Sequence, residues 1–259
     1  IMFSASFVPS PAQAAVARII PCGGGGTYKI EGQAIYSHSS CAGAVIIPAD
    51  VEHLGGGSFQ NSKVTSVSFE AGSQLNMIAG GVFYNTPLAS IVLPVGLQKI
   101  DNLSFMGSKL KHISIPGTVN TIGLMAFEDT TLETVVFESR IAASLDFGPN
   151  VFNDVPSLIS ITFKGPNQLQ LNTFQAATSV DFDWLGWSTT QGGPIVSFPL
   201  ANTNPGDLIL YPKRTPRDGV SNLACSLGGT FKIQSGVVTR ATSDCAGAIS
   251  IPGTVNNIS

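Results

Sequence analysis

The chain has 259 residues, of which 43% are hydrophobic and only 11% charged, and its formal net charge is −3. Disorder goes with low hydrophobicity and high net charge, so this chain is expected to fold, with length enough for one large core or several stacked small ones. No run of Lys or Arg is present to neutralise phosphates, which excludes nucleic acid as an expected partner, and no uninterrupted apolar stretch of about 20 residues marks a transmembrane segment.

At the amino terminus, residues 1–17 read IMFSASFVPSPAQAAVA. Pro9 and Pro11 disfavour a helix, and Ala12-Gln13-Ala14 fits the small-residue cleavage pattern of a secretory signal peptide. Residues 1–14 are therefore expected to be a signal-peptide remnant, and the protein secreted or displayed at the cell surface. The basic segment that normally opens such a peptide is missing, which places the start of the reading frame upstream of Ile1.

Residues 15–44 form the next expected unit, a β segment bracketed by Cys22 and Cys41. A second pair, Cys225 and Cys245, brackets a matching stretch: CGGGGTYKIEGQAIYSHSSCAGAVIIPADV beside CSLGGTFKIQSGVVTRATSDCAGAISIPGTV. Both share an opening Cys, a G-G-T-aromatic-K-I strand and a closing C-A-G-A-x-x-I-P-x-x-V, so the chain carries an internal duplication with a period near 200 residues. In an exported protein, an even number of cysteines paired in this way reads as disulfides. The rival reading, zinc, wants close C-x-x-C pairs or well-placed His, and neither occurs near these cysteines.

From 45 to 179 a shorter period takes over. Strands IIP, VSFE, IVLP, ISIP, VVFE and ITFK end at Pro48, Glu70, Pro94, Pro116, Glu138 and Lys164, with spacings of 22, 24, 22, 22 and 26. Phe59, Phe83, Phe105, Phe127, Phe152 and Phe174 run in step with them. A unit of this size cannot bury its own apolar face, so the units must stack into a ladder of strands over an internal column of Phe. Within LKHISIP, Leu110, Ile113 and Ile115 are expected to point inward, and Pro116 to end the strand.

The phrase LKHISIPGTVNTIGLMAF (110–127) resembles the BspA-type leucine-rich repeat, L-x-x-V-x-I-P-x-x-V-x-x-I-G-x-x-A-F. Leu110, Ile113, Ile115, Pro116, Val119, Ile122, Gly123, Ala126 and Phe127 fall on that pattern, and the resemblance resumes at ISIPGTVNNIS (249–259). It implies a mainly β leucine-rich-repeat solenoid, with short parallel strands stacked at a period of 22–24 residues and small β caps. It also implies an extracellular protein, typical of bacterial and some protist surfaces, that works by adhesion or partner binding.

Beyond the repeats, residues 180–214 resemble the second half of an internalin-type B-repeat at Gly186-Trp187, Gly192-Gly193, Val196 and Leu210-Tyr211, and are expected to be a β cap. Residues 215–224 read as a linker, being polar with Pro and Gly, and 225–259 as the start of a second, truncated copy.

No catalytic constellation assembles from these residues, so no enzyme activity and no cofactor are expected. His38, His53 and His112 lack partners at metal-binding spacing, and the glycine runs at 23–26 and 55–58 lack the Lys of a phosphate loop and read as turns. Asp181 and Asp183 supply too few oxygens for calcium; Glu128-Asp129 reads as a solvated turn. Trp184 and Trp187 are expected to pack rather than stack on a sugar. If the protein binds an extracellular protein or glycan, the outward strand positions are nominated: Ser66, Ser68, Ser90, Val92, His112, Ser114, Thr134, Val136, Ser160 and Thr162. The competing function is a passive spacer that projects other domains from the cell surface.

Overall fold

A computed structural model describes residues 17–139, 145–165, 170–171, 182–197, 200–201, 206–216, 220–224, 230–234, 237–241 and 257–258. The signal-peptide expectation at 1–14, Phe174, Asp181 and the pair Cys225 and Cys245 lie outside the described residues.

Every regular element among the described residues is a strand. The chain winds in coils of one repeat each, and neighbouring coils are joined along three sides. On the first side runs a main ladder of parallel strands in two successive sheets, Ala42–Ile47, Lys63–Phe69 and Ser90–Ile91 in one, and His112–Ile115, Thr134–Phe137 and Ser160–Phe163 in the other. These are the six strands expected from the repeat. Along them, Val45, Val67, Ile91, Ile113, Ile115, Val135, Phe137, Ile161 and Phe163 are buried, as alternation on a half-buried strand requires.

The second side is a ladder of two-residue strands: His53–Leu54, Met77–Ile78, Lys99–Ile100, Thr121–Ile122 and Asp146–Phe147, all parallel. One residue of each pair points inward; Leu54, Ile78, Ile100 and Ile122 are fully buried.

The third side consists of stacked turns. Phe59, Phe83 and Phe105 donate their backbone N–H to Val82, Ser104 and Ala126 at 3.1, 2.8 and 2.8 Å, and Phe127 donates to Val151 at 2.9 Å. Each turn holds its Phe between two left-handed residues, two before and two after: Gly57 and Asn61, Gly81 and Asn85, Leu103 and Gly107, Met125 and Asp129, Asn150 and Asp154. The rings point inward and stack. Centroid separations along Phe59, Phe83, Phe105, Phe127 and Phe152 are 5.7, 5.4, 5.2 and 5.6 Å, with planes 3–22° apart. Aromatic spacing thus follows the spacing of parallel strands, about 4.8 Å, opened slightly to fit ring thickness and offset.

Both ends of the main ladder are covered. At the first, strands Arg18–Pro21, Thr27–Glu31 and Ala34–Ser39 form an antiparallel meander, and the last of them pairs in parallel with His53–Leu54. The Cys22–Cys41 disulfide is formed, with Cα atoms 5.5 Å apart. It ties the glycine turn at 23–26 to the first strand of the main ladder. Gly24 and Gly23 donate N–H to the carbonyls of Ala42 and Ala44, each at 2.8 Å, and Ala42 donates to Gly25 at 3.0 Å. The next carbonyl along that edge, Ile46, accepts the hydroxyl of Tyr28 at 2.5 Å.

Tyr28 is buried, and desolvation, followed by the charge of Glu70 against a smaller opposing effect of Arg18, raises its pKa from 10.0 to about 12. The folded state therefore prefers the neutral phenol more strongly than the unfolded chain does. That contribution is complete below pH 10 and is lost as pH rises through about 12. A stability profile should show this alkaline loss in the wild type and lack that component in Tyr28→Phe. The variant should itself be less stable at neutral pH by about 1 kcal/mol, the net worth of one hydrogen bond. Identical alkaline profiles would remove Tyr28 from this role.

At the other end, Leu208–Pro216 runs antiparallel to Ser160–Phe163, and Phe182–Ser188 runs antiparallel to Leu208–Pro216. Leu208, Leu210 and Trp187 are buried there. Arg214 reaches back to the carbonyls of Val155 and Leu158 at 3.2 and 2.8 Å, and its burial lowers its pKa.

The expected linker at 215–224 is replaced by strands. Thr215 and Pro216 complete the capping strand, and Val220–Ala224 pairs with Thr230–Gln234, which pairs with Val237–Ala241. The physical reason is the duplication: Val220–Ala224 precedes Cys225 as Arg18–Pro21 precedes Cys22, and takes the same place at the edge of a meander. Even the irregularity recurs, between Lys29 and Ile30 in the first meander and between Lys232 and Ile233 in the second. Val237 and Val238 then pair in parallel with Asn257 and Ile258, as Ala34 and Ile35 do with His53 and Leu54.

Candidate functional site

Because side chains alternate across a strand, a main-ladder strand that sends two residues inward presents the two that alternate with them to solvent. The ten nominated residues all lie on that outer side. Ser68, Ser90, Val92, His112 and Ser114 are exposed, and Ser66, Thr134, Val136, Ser160 and Thr162 are half-buried. The register sets them in rows. Ser66 lies beside Ser90, His112 beside Thr134 and then Ser160, and Ser114 beside Val136 and then Thr162. Ile46 faces Ser68 on one flank, and Ile209 faces Thr162 on the other. One row is almost wholly hydroxyl-bearing, while its neighbour alternates hydroxyls with β-branched apolar groups.

Lateral polar contacts order the later half of this surface. His112 Nδ1 and Thr134 Oγ1 are 2.8 Å apart, and Ser114 donates to Glu138 Oε1 at 2.6 Å. Lys164 Nζ lies 3.2 Å from Glu138, and Lys111 Nζ 3.4 Å from Glu133, whose carboxylate is 4.0 Å from His112 Nε2. The Ser114 hydrogen bond, assisted by Lys164, lowers the pKa of the Glu138 carboxyl. These charged residues were not nominated from the sequence, although Glu138 and Lys164 occupy the strand-ending position of their units. Each follows an outward residue by two, which puts it on the same face, and that was the available signal.

The earlier half is plainer and more apolar. Ile46 is 59% exposed, and Val92 and Val95 are 78% and 85% exposed. Such a surface offers hydroxyl donors and acceptors at strand spacing, bounded by a few charges.

The remaining candidates are dispersed. His38 stacks on Phe59 at 6.2 Å and lies 3.1 Å from the Gln60 carbonyl, His53 belongs to the short ladder, and His112 to the main one. No group of three or more His, Cys, Asp or Glu able to hold a metal is found among the described residues. Glu128 accepts from Asn153 at 2.5 Å, and Asp129 is one of the left-handed turn residues. Trp187 is buried in the cap, as packing requires. Trp184 and Asp183 lie on the strand Phe182–Ser188, where only the backbone is described. Among the described residues, no helix is long and apolar enough to cross a membrane.

The sequence pattern of the BspA type leucine rich repeat region matches residues 29–159 and 76–181, in six copies. Among solved structures, the chain is similar to a leucine-rich repeat protein from Bacteroides ovatus ATCC 8483, with 20% identity over 60% of this chain and 41% of that one and a TM-score of 0.43. A second, from Eubacterium ventriosum ATCC 27560, shares 15% identity over 60% of this chain and 46% of that one, with a TM-score of 0.43. The pneumococcal vaccine antigen PcpA shares 18% identity over 60% of this chain and 52% of that one, with a TM-score of 0.38. The matched regions thus span between 41% and 52% of those proteins. No curated protein matches the chain.

Proposed function

The chain belongs to the BspA-type leucine-rich-repeat family, and on that premise we propose that it is a secreted or cell-surface protein that binds an extracellular protein or glycan through the outer face of its main ladder. It is read as a non-catalytic adhesion module. The observation that carries this reading is the outer face itself: ten solvent-side residues along five successive strands, in rows that keep register within each of the two sheets, with mostly small side chains that let a ligand approach. Secretion is supported by the Ala12-Gln13-Ala14 pattern and by a disulfide at Cys22–Cys41, a bond that persists in oxidising compartments.

The test is to screen the purified chain against glycan and surface-protein arrays, then repeat it with Ser90, His112 and Thr134 all changed to Glu. These side chains are exposed or half-buried, so the triple variant should keep its melting temperature within a few degrees and lose binding by at least tenfold. Undiminished binding by a folded triple variant would exclude this face.

The second meander, at 220–258, favours one further reading. A chain that restarts its first unit after a cap is suited to tandem copies, and therefore to a passive spacer. Failure of the wild-type chain to bind anything on either array at high concentration would select the spacer.

A further inference from the structure

The first strand of the main ladder, Ala42–Ile47, pairs on one side with Lys63–Phe69 and, among the described residues, has no strand on the other. An open strand edge is a template for pairing with another chain. Here the edge is covered: the carbonyls of Ala42, Ala44 and Ile46 accept from Gly24, Gly23 and the Tyr28 hydroxyl, and the Ala42 N–H donates to Gly25. Three of these four bonds come from the turn that begins at Cys22, and Cys41 immediately precedes the covered strand. Cys22 and Cys41 are both buried.

We infer that the Cys22–Cys41 disulfide is a redox-controlled guard on this edge, and that opening it lets Ala42–Ile47 pair with the same strand of a second copy of this chain. The occupant follows from symmetry: a strand running antiparallel to its own copy across a two-fold axis is self-complementary, so each copy offers the other the same donors and acceptors. The sequence AGAVII carries no charge to oppose it. The opening step is thiol–disulfide exchange with a dithiol, which reaches the buried sulfurs when the glycine turn opens locally. Its thiolate attacks one sulfur, the Cys22–Cys41 bond breaks, and a mixed disulfide forms. The second thiol of the reductant then displaces the mixed disulfide, leaving two protein thiols and an oxidised reductant. The glycine turn, no longer tied to Cys41, lifts from the strand.

Light scattering on the full chain would compare the wild type with Cys22→Ser/Cys41→Ser, which leaves Cys225 and Cys245 untouched. A doubling of mass with unchanged circular dichroism is expected, reversed by adding Ala44→Pro, which removes an amide on the freed edge and blocks pairing. In parallel, Gly24→Leu keeps both cysteines but places a Cβ 2.9 Å from the Ala42 backbone; it should lift the turn and double the mass by itself. A mass unchanged in both variants overturns the inference, as does association that survives Ala44→Pro. Loss of the circular dichroism signal in the double Ser variant also overturns it, because it would assign the disulfide to the core rather than to the edge.

Discussion

Phe127→Ala should destabilise the solenoid by about 3–5 kcal/mol, the range for removing a large aromatic from a core that cannot collapse around the gap. Phe127 is fully buried, with Phe105 at 5.2 Å on one side and Phe152 at 5.6 Å on the other. Truncation therefore removes two stacking contacts besides the ring's own burial, each worth about 0.5–1.5 kcal/mol beyond area. The walls of the resulting cavity are fixed by hydrogen bonds between coils. Met125 donates to Pro149 at 3.1 Å, and Phe127 itself to Val151 at 2.9 Å, so the backbone cannot close the space. Denaturant unfolding is the direct measurement, with Val95→Ala as the control. Val95 is 85% exposed, and the control should change stability by no more than about 0.5 kcal/mol. Equal stability of the two variants would show that the Phe column is incidental to folding.

Gly26→Val is the second large effect. Gly26 has φ +76°, and a Cβ there would sit 2.3 Å from the carbonyl oxygens of Ser39 and Ser40. The left-handed conformation alone costs a branched residue about 1–2 kcal/mol, and the overlap with rigid backbone adds roughly 1–3 more. Gly32 separates the two contributions. It has φ +60° with nothing within 4 Å of its Cβ position, so Gly32→Val should show the conformational cost alone. If the two variants melt together, the close approach of the glycine turn to Ser39 and Ser40 carries no energy. Gly229 occupies the matching position in the G-G-T-F-K-I of the second copy, which predicts the same intolerance there.

Much of the architecture was legible in the residues. Ile113, Ile115 and Phe127 recur at a fixed spacing because every coil must bring the same chemistry to the same height of one column. The Cys22–Cys41 pairing was legible from the duplicated segment. Asn61, Asn85 and Asp129 are readable as left-handed turn residues, since Asn and Asp tolerate that conformation. Leu103 and Met125 were not readable, because an isolated Leu or Met disfavours positive φ by about 1–2 kcal/mol. They hold it because Leu103 donates to Leu124 at 2.9 Å and Met125 to Pro149 at 3.1 Å, bonds supplied by the next coil.

The candidate face divides the same way. Its ten members follow from alternation alone, but the link from Ser114 to Glu138 and on to Lys164 needs the register of three separate coils.

The sequence by itself determined the repeat length, the inward residues, the outward face and the disulfide-bearing first segment, because each is a local pattern repeated often enough to exceed chance. Only the tertiary structure decided the second ladder, the stacked turns and the sealing of both ends. A strand of two residues such as Thr121–Ile122 has no periodicity of its own, and exists because neighbouring coils supply its hydrogen bonds. The strand Leu208–Pro216 closes the last coil by pairing with residues about 50 positions earlier, and Gly23, Gly24 and Tyr28 close the first by reaching a strand about 20 positions later. Pairings of that kind depend on which backbone groups are left open once the coils have stacked, a quantity that no single stretch of residues contains.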